Sequence, residues 1–272
     1  MRMLRLIALL LSAGLCDGAE LKPFKWSGEL NVPDPTSCTL DEAGNVYVAT
    51  TTRRKAADLD IREHAVWIPD DVALTTPEEK LAFYQRELAP GKMKAPRGGL
   101  KDHNKDGSID WKDLTFHKEA IYKLSDTDHD GVADKMTMFA EGFNSPVSGI
   151  AAGVLYHDGW VYVTAIPDVW RLKDTDGDGV ADVKELIATG FGGHIAYAGH
   201  DMHGLRLGPD GRIYWTVGDK GGVVTSKEGR RFHFPHRGAV LRCEPDGTNF
   251  EVFAHGIRNT QEIAFDDFGN AI

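Results

Sequence analysis

The sequence predicts an all-β fold, a β-propeller of four-stranded blades that carries a small helical insertion. Three observations predict it. Glycine is in excess, with 30 among 272 residues. A strand–turn–strand unit recurs along the chain. Acidic Asp-Gly turns fall at matching places in that unit.

The first half of the unit is an apolar strand, a turn, and then Gly-x-(Val/Ile)-Tyr or a close variant. It occurs at Gly44, Gly159 and Gly211 and begins again at Gly269. The second half is an apolar strand at 120–124, 169–172 and 239–243. An Asp-Gly loop, a short strand and a closing glycine follow, at Gly142, Gly190 and Gly256. Each such sheet buries both faces only by stacking on its neighbours, which is the propeller arrangement. Three units and the start of a fourth are present. Closure is what removes sheet edges, so the reading is a partial propeller over residues 20–272, a fragment of a larger ring.

The longest interval lies between Gly44 and Gly159, because residues 53–116 read as an insertion. Within it, 76–88 reads as a helix: Thr76 is a good cap, Pro77 suits the first turn, and Glu79 stands where a capping box needs it.

Charge excludes some functions. There are 31 basic against 41 acidic residues, a net charge of −10. Nucleic acid and anionic membranes, which select clustered positive charge, are therefore excluded as main partners. With 42% hydrophobic residues the chain is not a disordered one. Residues 1–19 have Arg2 and Arg5, an apolar run from Leu6, and a small-residue exit at Gly18 and Ala19. That is a secretory signal peptide, and it predicts export to the periplasm or cell surface. Cys16 leaves with it. Cys38 and Cys243 read as two buried thiols in preference to a disulfide.

Three loops have the oxygen spacing of calcium sites. Loop 102–113 offers Asp102, Asn104, Asp106, Asp110 and Asp113, with an EF-hand-like Gly107 at the sixth place. Loop 126–134 offers Asp126, Asp128, Asp130 and Asp134. Loop 174–185 offers Asp174, Asp176, Asp178, Asp182 and Glu185. Without a metal the same residues serve as solvated hairpin tips. Carboxylates crowded this closely repel unless a cation relieves them, which favours Ca2+ in the last two loops, as structural clips.

The candidate active site begins at residues 199–221. In a propeller, residues just before the innermost strand of a blade ring one mouth of the channel. His200 and His203 precede one such strand, and Arg258 and Asn259 precede the next. Asp219 ends the neighbouring strand and is placed to accept the second N–H of an imidazole, fixing its tautomer. The alternatives are a histidine hydrogen-bonded beneath a loop and an Arg258–Glu262 surface pair. Trp160, Trp170 and Trp215 read as blade core. The basic, aromatic stretch 230–237 reads as an exposed loop near that mouth.

The stretch 199–221, with Gly-His-Asp-Met-His-Gly at 199–204, and the stretch 256–266 resemble the soluble glucose/sorbosone dehydrogenases. Those are six-bladed propellers that use pyrroloquinoline quinone (PQQ) and calcium. The chain also resembles the large exported membrane-bound dehydrogenase proteins of planctomycete-type bacteria, in which such a propeller precedes helical repeats and a c-type cytochrome domain. The resemblance spans about 36–272 and is strongest over 199–270.

The resemblance implies three to four of six blades and a PQQ-dependent oxidoreductase acting on a small-molecule sugar or other alcohol/aldehyde. His200 would be the general base, with Asp219 as its partner. Arg258 and Asn259 would hold the quinone, as suits a cofactor bearing several carboxylates. Electrons would pass to a c-type cytochrome outside this chain. The sequence departs from the family where Thr260 and Glu262 replace the usual Pro and Gly, which sets a carboxylate near an anion site. That departure favours the alternative, a non-catalytic calcium-stabilised propeller acting as a carbohydrate- or protein-binding module. A serine hydrolase is set aside for want of a Gly-x-Ser-x-Gly elbow.

Overall fold

Each repeat unit folds as an antiparallel four-stranded sheet in the computed structural model, which describes residues 22–54 and 56–272. The signal segment 1–19 and Cys16 lie outside the described residues. The first blade is β1 (Pro35–Leu40), β2 (Val46–Thr50), β3 (Glu119–Ser125) and β4 (Lys135–Gly142). The second is β5 (Ala151–His157), β6 (Trp160–Ala165), β7 (Asp168–Lys173) and β8 (Val183–Thr189). The third is β9 (Met202–Leu207), β10 (Ile213–Val217), β13 (Gly238–Cys243) and β14 (Glu251–Ile257). Between β10 and β13 stands a hairpin of β11 (Gly222–Thr225) and β12 (Arg231–Phe234). The repeat pattern gives no sign of this hairpin, since it lies inside what reads as one loop. A bridge between Phe265 and Ala271 follows the third blade, where the fourth unit begins.

The leading strands β1, β5 and β9 pack side by side. Side chains stitch the blades together there. Thr36 Oγ1 donates to Ala151 O at 2.6 Å, and Thr164 Oγ1 donates to Met202 O at 3.1 Å.

Because both faces of β10 (Ile-Tyr-Trp-Thr-Val) are covered, by Phe191 and Phe250 on one side and by Ile263 and Phe265 on the other, it is apolar almost throughout and does not alternate. Trp215, Phe191 and Phe250 fill the layer between the second and third blades. Tyr47, Ile121, Phe139 and Val163 fill the layer between the first and second. Each such side chain contributes about 1.5–3 kcal/mol through burial. Trp215 is core, as expected. Trp160 and Trp170 are only half-buried, and they lie beneath Arg171 and Lys184 respectively. Cys243 is buried but Cys38 is exposed, which corrects the expectation of two buried thiols.

The insertion leaves the end of β2 and returns at the start of β3. Its helix Pro77–Glu87 is capped by Thr76, whose hydroxyl accepts from Glu79 N at 3.2 Å, while the Glu79 carboxylate accepts from Thr76 N at 3.3 Å. Phe83, Tyr84, Leu88, Leu100 and Leu114 form its own small core, and Ile195 of the third unit joins them. That contact pins the insertion against the segment before β9.

Candidate active site

Antiparallel pairing decides which residues share an end of the blades. Met202 at the start of β9 pairs with Val217 at the end of β10, so 199–201 and 218–220 lie together. Residues 189–193 join them, since Phe191 bridges to Gly222. The loops 126–134 and 174–182 connect β3 to β4 and β7 to β8 at the opposite end.

His200 Nδ1 lies 2.6 Å from Asp219 Oδ1. With that nitrogen protonated against the carboxylate, Nε2 is the free acceptor, and it has no hydrogen-bond partner among the described residues. Gly218 makes the approach feasible. A Cβ there would stand 2.8 Å from His200 O and 2.9 Å from Asn259 Oδ1. Asn259 is therefore pressed against the same turn, with its Oδ1 buried and without a hydrogen-bond partner among the described residues. Arg258 Nε is 3.9 Å from Asp219 Oδ2, and its guanidinium is 72% exposed. The Tyr197 ring stands 5.2 Å from the His200 ring and 5.4 Å from the Arg258 guanidinium carbon. His200, Asp219, Arg258 and Asn259 thus come together at one end of the blades. Glu262 does not reach Arg258, because it pairs with Arg206 at 3.0 Å.

Directly behind this group lies a buried set of charges. Lys220, next in sequence to Asp219, sits 2.8 Å from Asp58 Oδ1 and 3.2 Å from both oxygens of Asp201, next in sequence to His200. All three are buried. Burial alone would depress the Lys220 ammonium, but Asp201 and Asp58 outweigh it and hold its pKa above the ordinary range. Burial and the charge of Asp201 push the Asp58 carboxyl up. Asp201 moves the other way, as Lys220 outweighs its burial. Lys80, from the insertion helix, is also buried here, and burial with the Lys220 charge pushes it down to about 7.

The insertion also supplies acceptors for the segment that delivers His200. Asp71 accepts from Ile195 N at 2.6 Å and Ala196 N at 3.2 Å. Asp60 accepts from Ala198 N at 3.3 Å, and Asp58 from Gly199 N at 3.0 Å. Three insertion carboxylates thus replace the strand neighbours this stretch lacks. Sequence reasoning missed Asp58, Asp60, Asp71, Asp201 and Lys220. No local signal marks them, since Asp58 and Lys220 are 162 residues apart.

Other candidates fall outside the group. His203 is buried and hydrogen-bonded by Nε2 to Gly199 O at 3.2 Å, the second role envisaged for a histidine in this motif. His236 is exposed on the turn after β12 and meets the His194 ring at 4.2 Å. His194 Nε2 in turn contacts Asp219 O at 2.8 Å.

Of the acidic loops, two gather carboxylate oxygens within 4.8 Å of one another: Asp126, Asp128 and Asp130, and Asp174, Asp176 and Asp182. Asp134 instead accepts from Thr127 N and Oγ1. Asp178 accepts from Val180 N, and Glu185 pairs with Arg171 at 2.6 Å. In loop 102–113, Asp102 and Asp106 accept main-chain N–H groups, as does Asn104. Asp110 caps the turn that follows, and buried Asp113 spends both oxygens on the N–H groups of His103, Asn104 and Asp110. The other two loops make matching contacts, with Asp126 accepting from Gly131 N and Asp174 from Gly179 N.

Among solved structures, the chain is similar to the PQQ-bound form of aldose sugar dehydrogenase from Streptomyces coelicolor, with 15% identity and a TM-score of 0.47. The match covers 89% of this chain and 56% of that one, so the chain spans little more than half that protein's length. No curated protein matches the sequence. No helix among the described residues is long and apolar enough to cross a membrane. One family model matches nearly the whole described chain, residues 25–272, and the chain therefore belongs to the family described as a domain of unknown function, DUF7133.

Proposed function

We propose that this chain is the redox propeller of a PQQ-dependent oxidoreductase that oxidises a sugar or another alcohol or aldehyde. The observation that carries the reading is the 2.6 Å contact between His200 Nδ1 and Asp219 Oδ1, with the Arg258 guanidinium on the other side of the same carboxylate. When bound, the quinone supplies a two-electron acceptor for the hydride of the substrate carbon. The residues fit such a group. Arg258 offers an exposed fork to carboxylates, and Asn259 stands next to it against the Gly218 turn. Glu262 pairs with Arg206 on the surface and makes no ion pair with Arg258 among the described residues, which supports the reading.

In this scheme His200 Nε2 takes the hydroxyl proton as the C–H bond gives up its hydride, and the substrate leaves as the carbonyl compound. Asp219 keeps the other ring nitrogen protonated and steadies the imidazolium that forms. Arg258 and Asn259 hold the cofactor, and the electrons pass on to a c-type cytochrome outside this chain. The hairpin loops at the far end hold Ca2+ as structural clips, through Asp126, Asp128 and Asp130 and through Asp174, Asp176 and Asp182.

The test is reconstitution of the exported protein with Ca2+ and PQQ, followed by dye reduction with a panel of aldoses and alcohols. Turnover that is lost in His200→Ala supports the reading. Should no compound reduce the dye, and His200→Ala behave as the parent does, the redox reading fails and a binding module takes its place.

A further inference from the structure

The hairpin β11–β12 stands outside the four-strand unit and carries the basic, aromatic stretch that the His200 group does not use. Residues 226–237 hold Lys227, Arg230, Arg231 and Arg237 against the single acid Glu228, in a chain of net charge −10. Arg231 and His233 are exposed on β12, while Phe234 is buried and the half-buried Phe232 ring meets Phe250 at 4.9 Å. Arg230 lies over the Phe232 ring at 4.8 Å, and Arg237 is exposed just before β13.

Arg230, Arg231 and Arg237 have no oxygen partner among the described residues. Every other described arginine has one, either a carboxylate or a main-chain carbonyl. Glu228 accepts from Asn249 N at 2.9 Å and neutralises none of the three. Unpaired guanidinium groups gathered in one hairpin repel one another, and an anion brought by a partner relieves that repulsion.

The hairpin is also fastened at both ends. At its foot Val223 N donates to Gly190 O at 2.8 Å. There the His236 ring stands 4.2 Å from His194, whose Nε2 donates to Asp219 O at 2.8 Å. At its tip Lys227 Nζ donates to Asp246 O, in the loop between β13 and β14. The arginines are thus spread along the height of the blade, from the His200 end, on a backbone that binding need not order.

We infer that this hairpin is a docking surface for an acidic protein. A guanidinium fork matches a carboxylate through paired hydrogen bonds. The rest of the molecule favours a protein over a membrane or a nucleic acid. Charges more than about 10 Å away are screened at 0.1 M salt, so a compact acidic patch meets only the hairpin. A bilayer or a duplex is wide enough to face the acidic remainder as well. Since the foot of the hairpin reaches the His200 group, the partner is the electron acceptor; that assignment rests on the redox reading, and the surface itself does not.

The experiment measures binding apart from turnover. Succinylated cytochrome c, which is acidic, and native cytochrome c, which is basic, are titrated calorimetrically into the quinone-free protein. The variants are Arg230→Gln, Arg231→Gln and Arg237→Gln together, and Arg231→Glu alone. A control combines Lys94→Gln, Lys112→Gln and Lys135→Gln, which removes the same charge from exposed lysines elsewhere. The parent should bind the acidic cytochrome about tenfold more tightly than the basic one, and added salt should weaken that binding. Both hairpin variants should lose about tenfold and the control less than about twofold. No binding of the acidic cytochrome, or an equal loss in the control, would overturn the surface. Phosphatidylglycerol vesicles that bind more tightly through the same arginines would replace it with a membrane contact. If binding behaves as expected and the reconstituted protein reduces neither dye nor cytochrome, the surface stands and the redox reading falls. If the dye is reduced but the hairpin variants bind the acidic cytochrome as the parent does, the redox reading stands and the surface falls.

Discussion

Asp201 and Lys220 form a buried ion pair immediately behind the half-buried contact of His200 with Asp219. Each partner of the inner pair follows one of the outer pair in sequence, so two chain segments are tied by two charge contacts. The inner contact is buried and the outer one only half-buried. Gly218 N donates to Asp201 O at 3.1 Å and completes the tie.

Removing the ammonium should therefore cost fold stability. Lys220→Met leaves Asp58 and Asp201 buried without their cation, which predicts a loss of about 3–5 kcal/mol. Urea denaturation followed by tryptophan fluorescence measures it. Replacing all three groups together, with Asp58→Asn, Asp201→Asn and Lys220→Met, should cost less than the single change, since no charge is then stranded. A triple variant less stable than Lys220→Met would contradict this account.

Asp219→Asn should lower kcat by about 10²–10⁴ by presenting the wrong histidine tautomer, with quinone affinity within twofold of the parent. His200→Gln should do at least as much. Steady-state dye reduction with a fluorescence titration of PQQ separates the two effects.

Arg258 is predicted to act on binding instead. Arg258→Ala should raise the Kd for PQQ by about 10–100-fold, the range for a lost charge-assisted contact. Arg258→Lys should restore only part of it, because an ammonium cannot make two parallel bonds.

Lys80 predicts a pH dependence of stability. Its folded-state value, about 7, lies below the ordinary lysine value, so between the two the unfolded chain binds more protons than the folded one. Stability attributable to this group is lowest below pH 7 and rises as pH increases towards the unfolded value. Between pH 7 and 9 the rise should be on the order of 2 kcal/mol, and Lys80→Met should abolish it. Denaturation midpoints of the two proteins across that range decide the matter.

If the hairpin loops hold calcium, chelation should lower Tm and added Ca2+ should restore it with a concentration-dependent shift. Asp174→Asn combined with Asp176→Asn should remove part of that shift. Asp113→Asn should lower Tm with or without added Ca2+, since its oxygens cap buried backbone N–H groups.

The blades were legible because their causes are local. Gly44, Gly159 and Gly211 turn tightly, Val and Tyr follow on strands, and three such units must stack to bury both faces. The helix at 77–87 was legible from Thr76, Pro77 and Glu79 for the same reason. The motif at 199–204 singled out His200, since adjacent inner strands bring their leading residues to one end. The hairpin β11–β12 was not legible, because a short amphipathic pair within a loop carries too little periodicity.

By itself the sequence determined the blade repeat, the acidic turns and the histidine motif, all of which depend on neighbours within a few residues. Only the tertiary structure decided that Asp58, Asp60 and Asp71 hold the segment leading to His200, and that Lys220 lies between two carboxylates. It also decided that Glu185 and Asp113 are spent on other partners. The physical reason is that a buried charge takes whichever opposite charge or N–H group the packing brings within about 3 Å, and nothing in the spacing along the chain records that choice.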